Sequence, residues 1–338
     1  MHELSDNQTR QAIDAESAFS AWRAAQAELR NGSTRGSMFW KDQNNRRYLI
    51  RKSTNGAQTS LGVDSDETRG VYARFMARKN TAVQRERTLR AAVSTHARMN
   101  RALRVGQVPP IVVETLNALE SSGIGEYFLV IGTHALYAHA AAAHVHLLPE
   151  ATATLDVDLL FGVRQRLRLA ATLDKTNDSF LSVLQRVDPT FKRSDDDLYK
   201  AVNNDGFEVD VVRRTASESD PHPLLLSTSE DDLWAVQIDS GSDLIHGQRM
   251  EQIVIATNGS MARMRTVAPM VFCEVKRRVA ASATRDAGKS RRDLAQAALV
   301  EQLVEQYLPQ WSTDFLKSSV KKDASAESLE PGQGPGMG

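Results

Sequence analysis

The sequence contains one cysteine, Cys273, among 338 residues, which excludes an internal disulfide framework. Chains without disulfides are typical of reducing compartments. It also lacks an apolar run approaching the ~20 residues that span a bilayer, and its polar N-terminus has no signal-peptide core. We therefore expect a cytoplasmic protein that does not enter a membrane.

The chain also has no net charge, because its 42 Lys and Arg side chains balance its 42 Asp and Glu side chains. The balance conceals three segments of different charge. Residues 1–110 carry 19 basic against 10 acidic side chains, residues 111–245 carry 10 against 22, and the remainder carry 13 against 10. An acidic centre with basic flanks suits a metal-binding core with segments that grip phosphates. The alternative, that the basic helices simply dock onto the acidic core, fits equally well.

The length and the 41% hydrophobic content allow two domains and one sizeable core. We predict a basic N-terminal arm at 1–110 and a mixed-sheet core at 111–267. Helices should follow at 268–316. The segment 317–338, rich in Ser, Gly, Pro and charge, should be disordered.

The N-terminal arm is predicted to contain a helix, a β-hairpin and a long helix. Apolar residues at helical spacing predict the first helix over 1–30. Two strands at 46–52 and 57–61 flank an Asn-Gly turn, which is typical of a hairpin. Capping residues then begin an Arg-rich helix over roughly 65–104.

The segment that follows the third core strand is predicted to begin with little regular secondary structure. Prolines indicate a loop-rich segment at 216–245. A second hairpin is predicted at 251–256 and 261–267, joined through Asn-Gly. Helical patterns follow at 270–283 and 286–308.

Two aspartates spaced one residue apart, Asp156 and Asp158, carry the most information about function. Their run predicts a strand with Leu155, Val157 and Leu159 on a buried face and both carboxylates on the other. At an effective dielectric of about 20 and a separation of ~4 Å, their repulsion is on the order of 4 kcal/mol. A hard divalent cation, Mg²⁺ or Mn²⁺, would best offset that repulsion.

The elements around this pair point to phosphate chemistry. An apolar strand ends in Gly132 and Thr133 and continues into an Ala-rich helix at 134–144. Glycine permits close backbone approach, and a helix N-terminus offers free N–H groups to a phosphate. A third strand at 206–212 places Asp210 on a mainly polar face. The structural alternatives are a tight turn for Gly132, a helix cap for Thr133 and an exposed strand position for Asp210.

This order of elements resembles the polymerase-β-like nucleotidyltransferase superfamily, in which an apolar strand closes on glycine before an Asp-x-Asp strand and a later aspartate. More narrowly, the chain is similar to a bacterial family of nucleotidyltransferase-fold proteins over roughly residues 36–310. The match is carried by residues 130–137, 154–160, 48–49 and 60–62. The resemblance implies an α/β (α+β) fold with a small mixed-sheet core.

The resemblance also implies an enzyme that transfers a nucleoside monophosphate from an NTP to an acceptor hydroxyl. Asp156 and Asp158 would bind a metal ion on the triphosphate, and Asp210 would complete a second metal site and accept the hydroxyl proton. Gly132 and Thr133 would contact the β- and γ-phosphates. The acceptor would be an RNA such as tRNA at its 3′ end, a protein side chain or a small molecule, and relatives that act as toxins make a toxin-like role conceivable.

A basic cluster follows on the C-terminal helices. By resemblance to nucleotidyltransferase toxins and antibiotic-modifying relatives, Lys276 and Lys289 would contact the triphosphate. Asp293 would contact the nucleobase or orient a lysine. The alternative is a solvated basic helix face.

Two other hypotheses do not require catalysis. The chain would be a nucleic-acid-binding protein with an inactive nucleotidyltransferase fold, or a regulatory module that binds a partner through the Arg-rich helix. Tyr48, Arg47 and Arg51 on the first hairpin are placed either to contact nucleic acid by stacking and charge or to form a packing arm.

Two further polar groups are not expected to bind metal. His134, His139 and His144 recur at a spacing of five, which separates successive side chains by ~140° on a helix and disfavours a zinc site. Three consecutive aspartates at 195–197 are interpreted as a solvated turn.

Overall fold

The computed structural model describes residues 1–312, which form two compact units. One unit contains Met1–Leu4 and the chain from Gly106 onward, and the other contains Ser5–Val105. The predicted disorder at 317–338 lies outside the described residues.

The described residues combine ten α-helices with strands in a mixed sheet, which confirms the predicted α/β (α+β) class. The helices are α1 (Asp6–Asn31), α2 (Asp66–Leu103), α3 (Pro110–Ser121), α4 (Ala135–Ala142), α5 (Pro149–Thr152), α6 (Arg166–Thr176), α7 (Phe180–Gln185), α8 (Gly241–His246), α9 (Pro269–Ala280) and α10 (Ala287–Tyr307). The strands are β1 (His2–Glu3), β2 (Ser37–Gln43), β3 (Arg46–Lys52), β4 (Gln58–Val63), β5 (Phe128–Ile131), β6 (Val145–His146), β7 (Asp156–Phe161), β8 (Lys192–Arg193), β9 (Lys200–Val202), β10 (Glu208–Arg214), β11 (Val236–Ile238), β12 (Arg249–Ile255) and β13 (Met261–Val267).

In the unit Ser5–Val105, the long helix α2 packs along α1. Phe19 of α1 and Phe75 of α2 are buried. The Ser65 hydroxyl accepts a hydrogen bond from the Thr68 N–H at 3.3 Å and begins α2, and Arg104 in the left-handed region ends it. Local capping thus sets the length of a helix whose sequence alone is polar over most of its surface.

The predicted hairpin of this unit belongs to a three-stranded antiparallel sheet in the order β2-β3-β4. Strand β2 was not predicted from the sequence. The turn between β2 and β3 consists of Asn44 and Asn45 at φ 53° and 55°, so asparagines take the left-handed positions where a glycine signal would be sought.

The main sheet of the other unit has the order β5-β7-β10-β9-β8, with β11 also paired to β10. β7 and β11 run parallel to β10, whereas β5 is antiparallel to β7 and β9 is antiparallel to β10. The hairpin of β12 and β13 joins β5 through the Thr266 hydroxyl, which donates to the Val130 carbonyl at 2.6 Å.

Alternation along β7 and β10 divides the apolar side chains of this unit between two cores. Val157 and Val209 belong to a core with α3 and α7. Leu160 and Val212 belong to a second core with α4, α9 and α10. The even-numbered side chains of both strands therefore point toward the C-terminal helices.

The start of β7 and the segment 216–245 differ from their predicted structure. Leu155, predicted to be buried, is 66% exposed, because β7 begins one residue after it. The segment 216–245 contains β11 and most of α8 and is more regular than expected. Of the three aspartates predicted to form a solvated turn, Asp195 and Asp196 lie in an exposed bend, as expected, whereas Asp197 is half-buried and lies 4.0 Å from Lys200.

None of the helices within residues 1–312 has both the length and the apolar character needed to cross a bilayer.

Candidate active site

The first residues of β7 and β10 bring the predicted aspartates together on one face of the sheet. Asp158 is registered opposite Asp210, and Asp156 is registered opposite Glu208. Registered residues on neighbouring strands point to the same side, so four carboxylates share this face. Glu208 was not predicted, although its two-residue spacing from Asp210 repeats the Asp-x-Asp pattern; it accepts a 2.5 Å hydrogen bond from Lys200.

The electrostatics of this face show a shortage of positive charge. The pKa of Asp158 is raised to about 7, first by burial and then by the charges of Asp156 and Asp210, while Lys276 and Arg285 oppose the shift. Burial also raises the pKa of Asp210 to about 6. The like charges thus penalise full ionisation of the cluster.

Gly132 forms the corner that brings the backbone against these carboxylates. It begins a short 3₁₀ turn at φ 65°, and a Cβ atom added there would collide with the Asp158 carboxylate. The next residue, Thr133, is buried. Its hydroxyl accepts a hydrogen bond at 3.2 Å from Gln296 of α10, which also donates to the Ala151 carbonyl at 2.9 Å. A glutamine that sequence analysis missed therefore ties α10 to the corner.

A cavity of about 220 Å³ opens between this corner and the C-terminal helices. Its lining consists of Ile131, Gly132, Thr133, Asp156, Asp158, Val212, Ile238, Lys276, Arg285, Lys289 and Arg292. Every predicted contact residue except Asp210 and Asp293 belongs to this lining. Asp210 lies outside it on the adjacent strand, and Asp293 lies behind it.

Asp293 holds two of the lining cations from behind. It is fully buried and accepts hydrogen bonds from Lys276 Nζ at 2.7 Å and from Arg285 Nε and Nη2 at 2.9 and 2.6 Å. Burial lowers the pKa of Lys276, and the bond to Asp293 opposes that shift. Of the two roles predicted for Asp293, this geometry matches the orientation of a lysine.

Arg285 and Arg292 complete the cationic side and were not predicted as contact residues. Arg285 lies in the connection between α9 and α10, where no helical spacing marks its direction. Arg292 stands in the basic cluster seen in the sequence, but only the fold shows that it faces the cavity.

The fit of a divalent ion can be tested on the carboxylates. The described residues contain no group of three or more His, Cys, Asp or Glu side chains arranged to hold a metal ion. Mg²⁺, however, is usually bound by one or two carboxylates together with substrate phosphates and water. Asp210 Oδ1 is buried without a hydrogen-bond partner among the described residues. The donor chemistry therefore fits a hard ion whose remaining ligands come from a phosphate.

Two of the three histidines at a spacing of five, His134 and His139, are buried. Burial lowers the pKa of His134 and of His139 to about 4, so both rings are neutral near pH 7. A nitrogen of the His139 ring lies 3.0 Å from the Val267 carbonyl oxygen.

The residues that build this cavity fall within a region of recognisable sequence. A nucleotidyltransferase family model matches residues 111–321. The chain belongs to the nucleotidyltransferase family. The match includes the main sheet, the glycine corner and helices α9 and α10, and it confirms the predicted resemblance. No curated protein and no solved structure matches the chain.

In this nucleotidyltransferase, Gly132→Ala should destabilise the fold. The positive φ costs a residue with a Cβ about 1–2 kcal/mol, and the collision with Asp158 adds to that cost. Urea unfolding measures the loss. Gly206→Ala is the matched control, because Gly206 has φ 77° but open space around its Cβ position. Equal losses in the two variants would show that the Asp158 contact is unimportant.

The stability of the nucleotidyltransferase should also depend on Asp158 titration. Folded Asp158 keeps its proton to about pH 7, against an ordinary value of 3.8. The folded state thus binds more protons between these values, so the free energy of unfolding falls as pH rises from about 4 to about 7. Asp158→Asn should make that fall shallower in metal-free urea unfolding at several pH values. Asp196→Asn, in the exposed bend, should keep the wild-type slope; an unchanged slope in Asp158→Asn would contradict the assignment.

Proposed function

We propose that this nucleotidyltransferase is a metal-dependent enzyme that transfers a nucleoside monophosphate from an NTP to an acceptor hydroxyl. The observation that carries the proposal is a single cavity with Asp156 and Asp158 on one side and four cationic side chains on the other. The substrate must then present both a cation and a polyanion, which a metal-bound triphosphate does.

The cationic side is suited to the triphosphate. Lys276 and Arg285 are fixed by Asp293, while Lys289 and Arg292 are exposed on the first turns of α10. Arginine and lysine bind phosphate oxygens through charge-assisted hydrogen bonds. At about 220 Å³ the cavity is smaller than the ~300 Å³ lower bound of ordinary ligand pockets. We therefore assign it to the phosphates, with the nucleoside extending outside.

The acidic side is suited to Mg²⁺ or Mn²⁺. Asp156 and Asp158 would hold one ion, and Asp210, with its buried and unpaired Oδ1, would contribute to a second. Once bound, such ions neutralise phosphate charge and lower the pKa of a bound hydroxyl. Gly132 removes the side chain that would otherwise separate the backbone from Asp158.

The proposed reaction is an in-line displacement at the α-phosphorus. The acceptor oxygen forms a bond to that phosphorus, the bond to the β-phosphate bridging oxygen breaks, and pyrophosphate leaves. Asp210 would take the hydroxyl proton, because a carboxylate whose pKa is raised to about 6 is a better base near neutral pH than an ordinary one. An RNA 3′ end, a protein side chain and a small molecule are the acceptor classes, and a toxin-like role belongs to this proposal.

Replacing both Asp156 and Asp158 with Asn should reduce NTP-dependent labelling about a hundredfold or more, because the charge that balances the metal is lost. The assay incubates the protein with each α-labelled NTP, Mg²⁺ or Mn²⁺, and either total RNA or lysate. Gel position and nuclease or protease digestion then identify the acceptor class.

The matched control replaces Asp195 and Asp196, two exposed carboxylates of the bend before β9, with Asn. It removes the same charge and should keep full labelling. Labelling that survives in the Asp156 and Asp158 variant would defeat the proposal. Absent labelling of the wild type with every NTP, together with salt-dependent RNA binding, would favour an inactive nucleic-acid-binding protein instead.

Arg285→Ala should weaken NTP binding by about tenfold to a hundredfold, the loss expected for a charge-assisted hydrogen bond. Isothermal titration with NTP and Mg²⁺ measures the affinity of the folded variant. Arg277→Ala is the control, because Arg277 is exposed on α9 and pairs with Glu301 outside the cavity. Equal affinities for the two variants would remove Arg285 from the binding site.

A further inference from the structure

One face of the β2-β3-β4 sheet combines aromatic and basic side chains. Cross-strand register places Phe39 opposite Ile50 and Lys41 opposite Tyr48. Arg46 lies two residues before Tyr48, and Lys52 lies two residues after Ile50. Both therefore point to the same side as Tyr48 and Ile50, because strand side chains alternate. We call Phe39, Lys41, Arg46, Tyr48 and Lys52 the platform.

The opposite face of the same sheet is already occupied by α2. Arg47 lies 5.1 Å from the Trp40 ring, which in turn contacts Tyr72 of α2 at 5.9 Å. Arg51 lies 5.1 Å from the ring of Phe75, also on α2. The structure therefore separates Arg47 and Arg51, which sequence analysis grouped with Tyr48, from the platform. They act as packing residues.

The platform cations lack counter-charges. Lys41, Arg46 and Lys52 are exposed, and within the described residues none of them forms an ion pair. Asp42, the one acidic residue of these three strands, is registered opposite Arg47 on the other face. The whole segment 5–105 carries 19 basic against 9 acidic side chains. Such a surface attracts a polyanion.

The aromatic groups narrow the class of polyanion. Tyr48 is half-buried and lies opposite Lys41 on one strand and opposite Val63, which is 42% exposed, on the other. Arg46 is two residues along β3, about 7 Å away. Aromatic rings that are partly exposed and flanked by cations bind unpaired bases by stacking while the cations contact the phosphates.

We propose that the platform binds single-stranded nucleic acid, with a base stacked on Tyr48 and phosphates contacted by Lys41, Arg46 and Lys52. A duplex would not offer its base faces to Tyr48. The shared chemistry is that of single-stranded RNA and single-stranded DNA. This surface requires neither metal nor NTP, so its assignment stands apart from the proposed nucleotidyl transfer.

The test measures fluorescence anisotropy of labelled oligo(U) and oligo(dT), each about 12 nucleotides long, within the range of single-strand site sizes. The full-length protein is used without NTP or metal. Tyr48→Ala should weaken binding on the order of tenfold, the loss of one stacked base. Alanine at Lys41, Arg46 and Lys52 together should reduce the slope of log affinity against log salt by about 2. Unequal binding of the two oligonucleotides identifies the preferred source.

The controls separate the platform from general charge. Tyr48→Phe keeps the ring and should bind as the wild type does. Alanine at Arg164, Arg168 and Lys175, three exposed cations of the other unit, removes the same charge and should leave affinity and salt slope unchanged. Circular dichroism verifies that each variant is folded.

Four outcomes would overturn the proposal. They are no binding by the wild type, equal loss in the platform and control triple variants, affinity for duplex equal to that for single strands, and binding to phosphatidylglycerol vesicles without binding to oligonucleotides. The last result would assign the platform to an anionic lipid surface.

Discussion

The buried ion cluster of Asp293 with Lys276 and Arg285 is the interaction on which the candidate site depends. A fully buried carboxylate is costly unless cations and hydrogen bonds satisfy it, and here two cations supply three hydrogen bonds. Because Asp293 holds both cations from behind, their charges stay at the cavity wall. There they lower the pKa of Asp158, which burial and neighbouring carboxylates raise. The acidic and basic sides of the cavity are therefore coupled.

Strand register is the second constraint, and it serves the core and the site together. Val157 and Val209 fill one core, and the alternation that buries them turns Asp158 and Asp210 to the opposite face. A shift of one residue between β7 and β10 would expose valines and separate the carboxylates. Packing of the apolar core thus holds the carboxylates of β7 and β10 close together, although their like charges repel each other.

Features that depend on short-range sequence patterns, such as the side of a strand on which a residue lies, were predictable from the sequence. Alternation placed Asp156, Asp158 and Asp210 on polar faces, and the structure brings those faces together. Contacts between distant segments were not predictable in this way. Arg285 reaches the cavity from a connection without periodicity, and Glu208 gained its place through register with Asp156. Leu155 was misassigned because the position where pairing begins, which decides its exposure, is a property of the whole sheet.

The charge pattern of the cavity also constrains how a substrate can enter under the proposed function. Carboxylates from β7 line one side, and cations from the α9–α10 region line the other. A free triphosphate would be attracted to the cations but repelled by the carboxylates. A free divalent ion would be attracted to the carboxylates but repelled by the cations. A metal–triphosphate complex carries both charges in fixed relation, so it would satisfy both walls in one orientation. That orientation would direct the phosphates toward Arg285 and leave the metal beside Asp158, an arrangement that follows from the separation of charge.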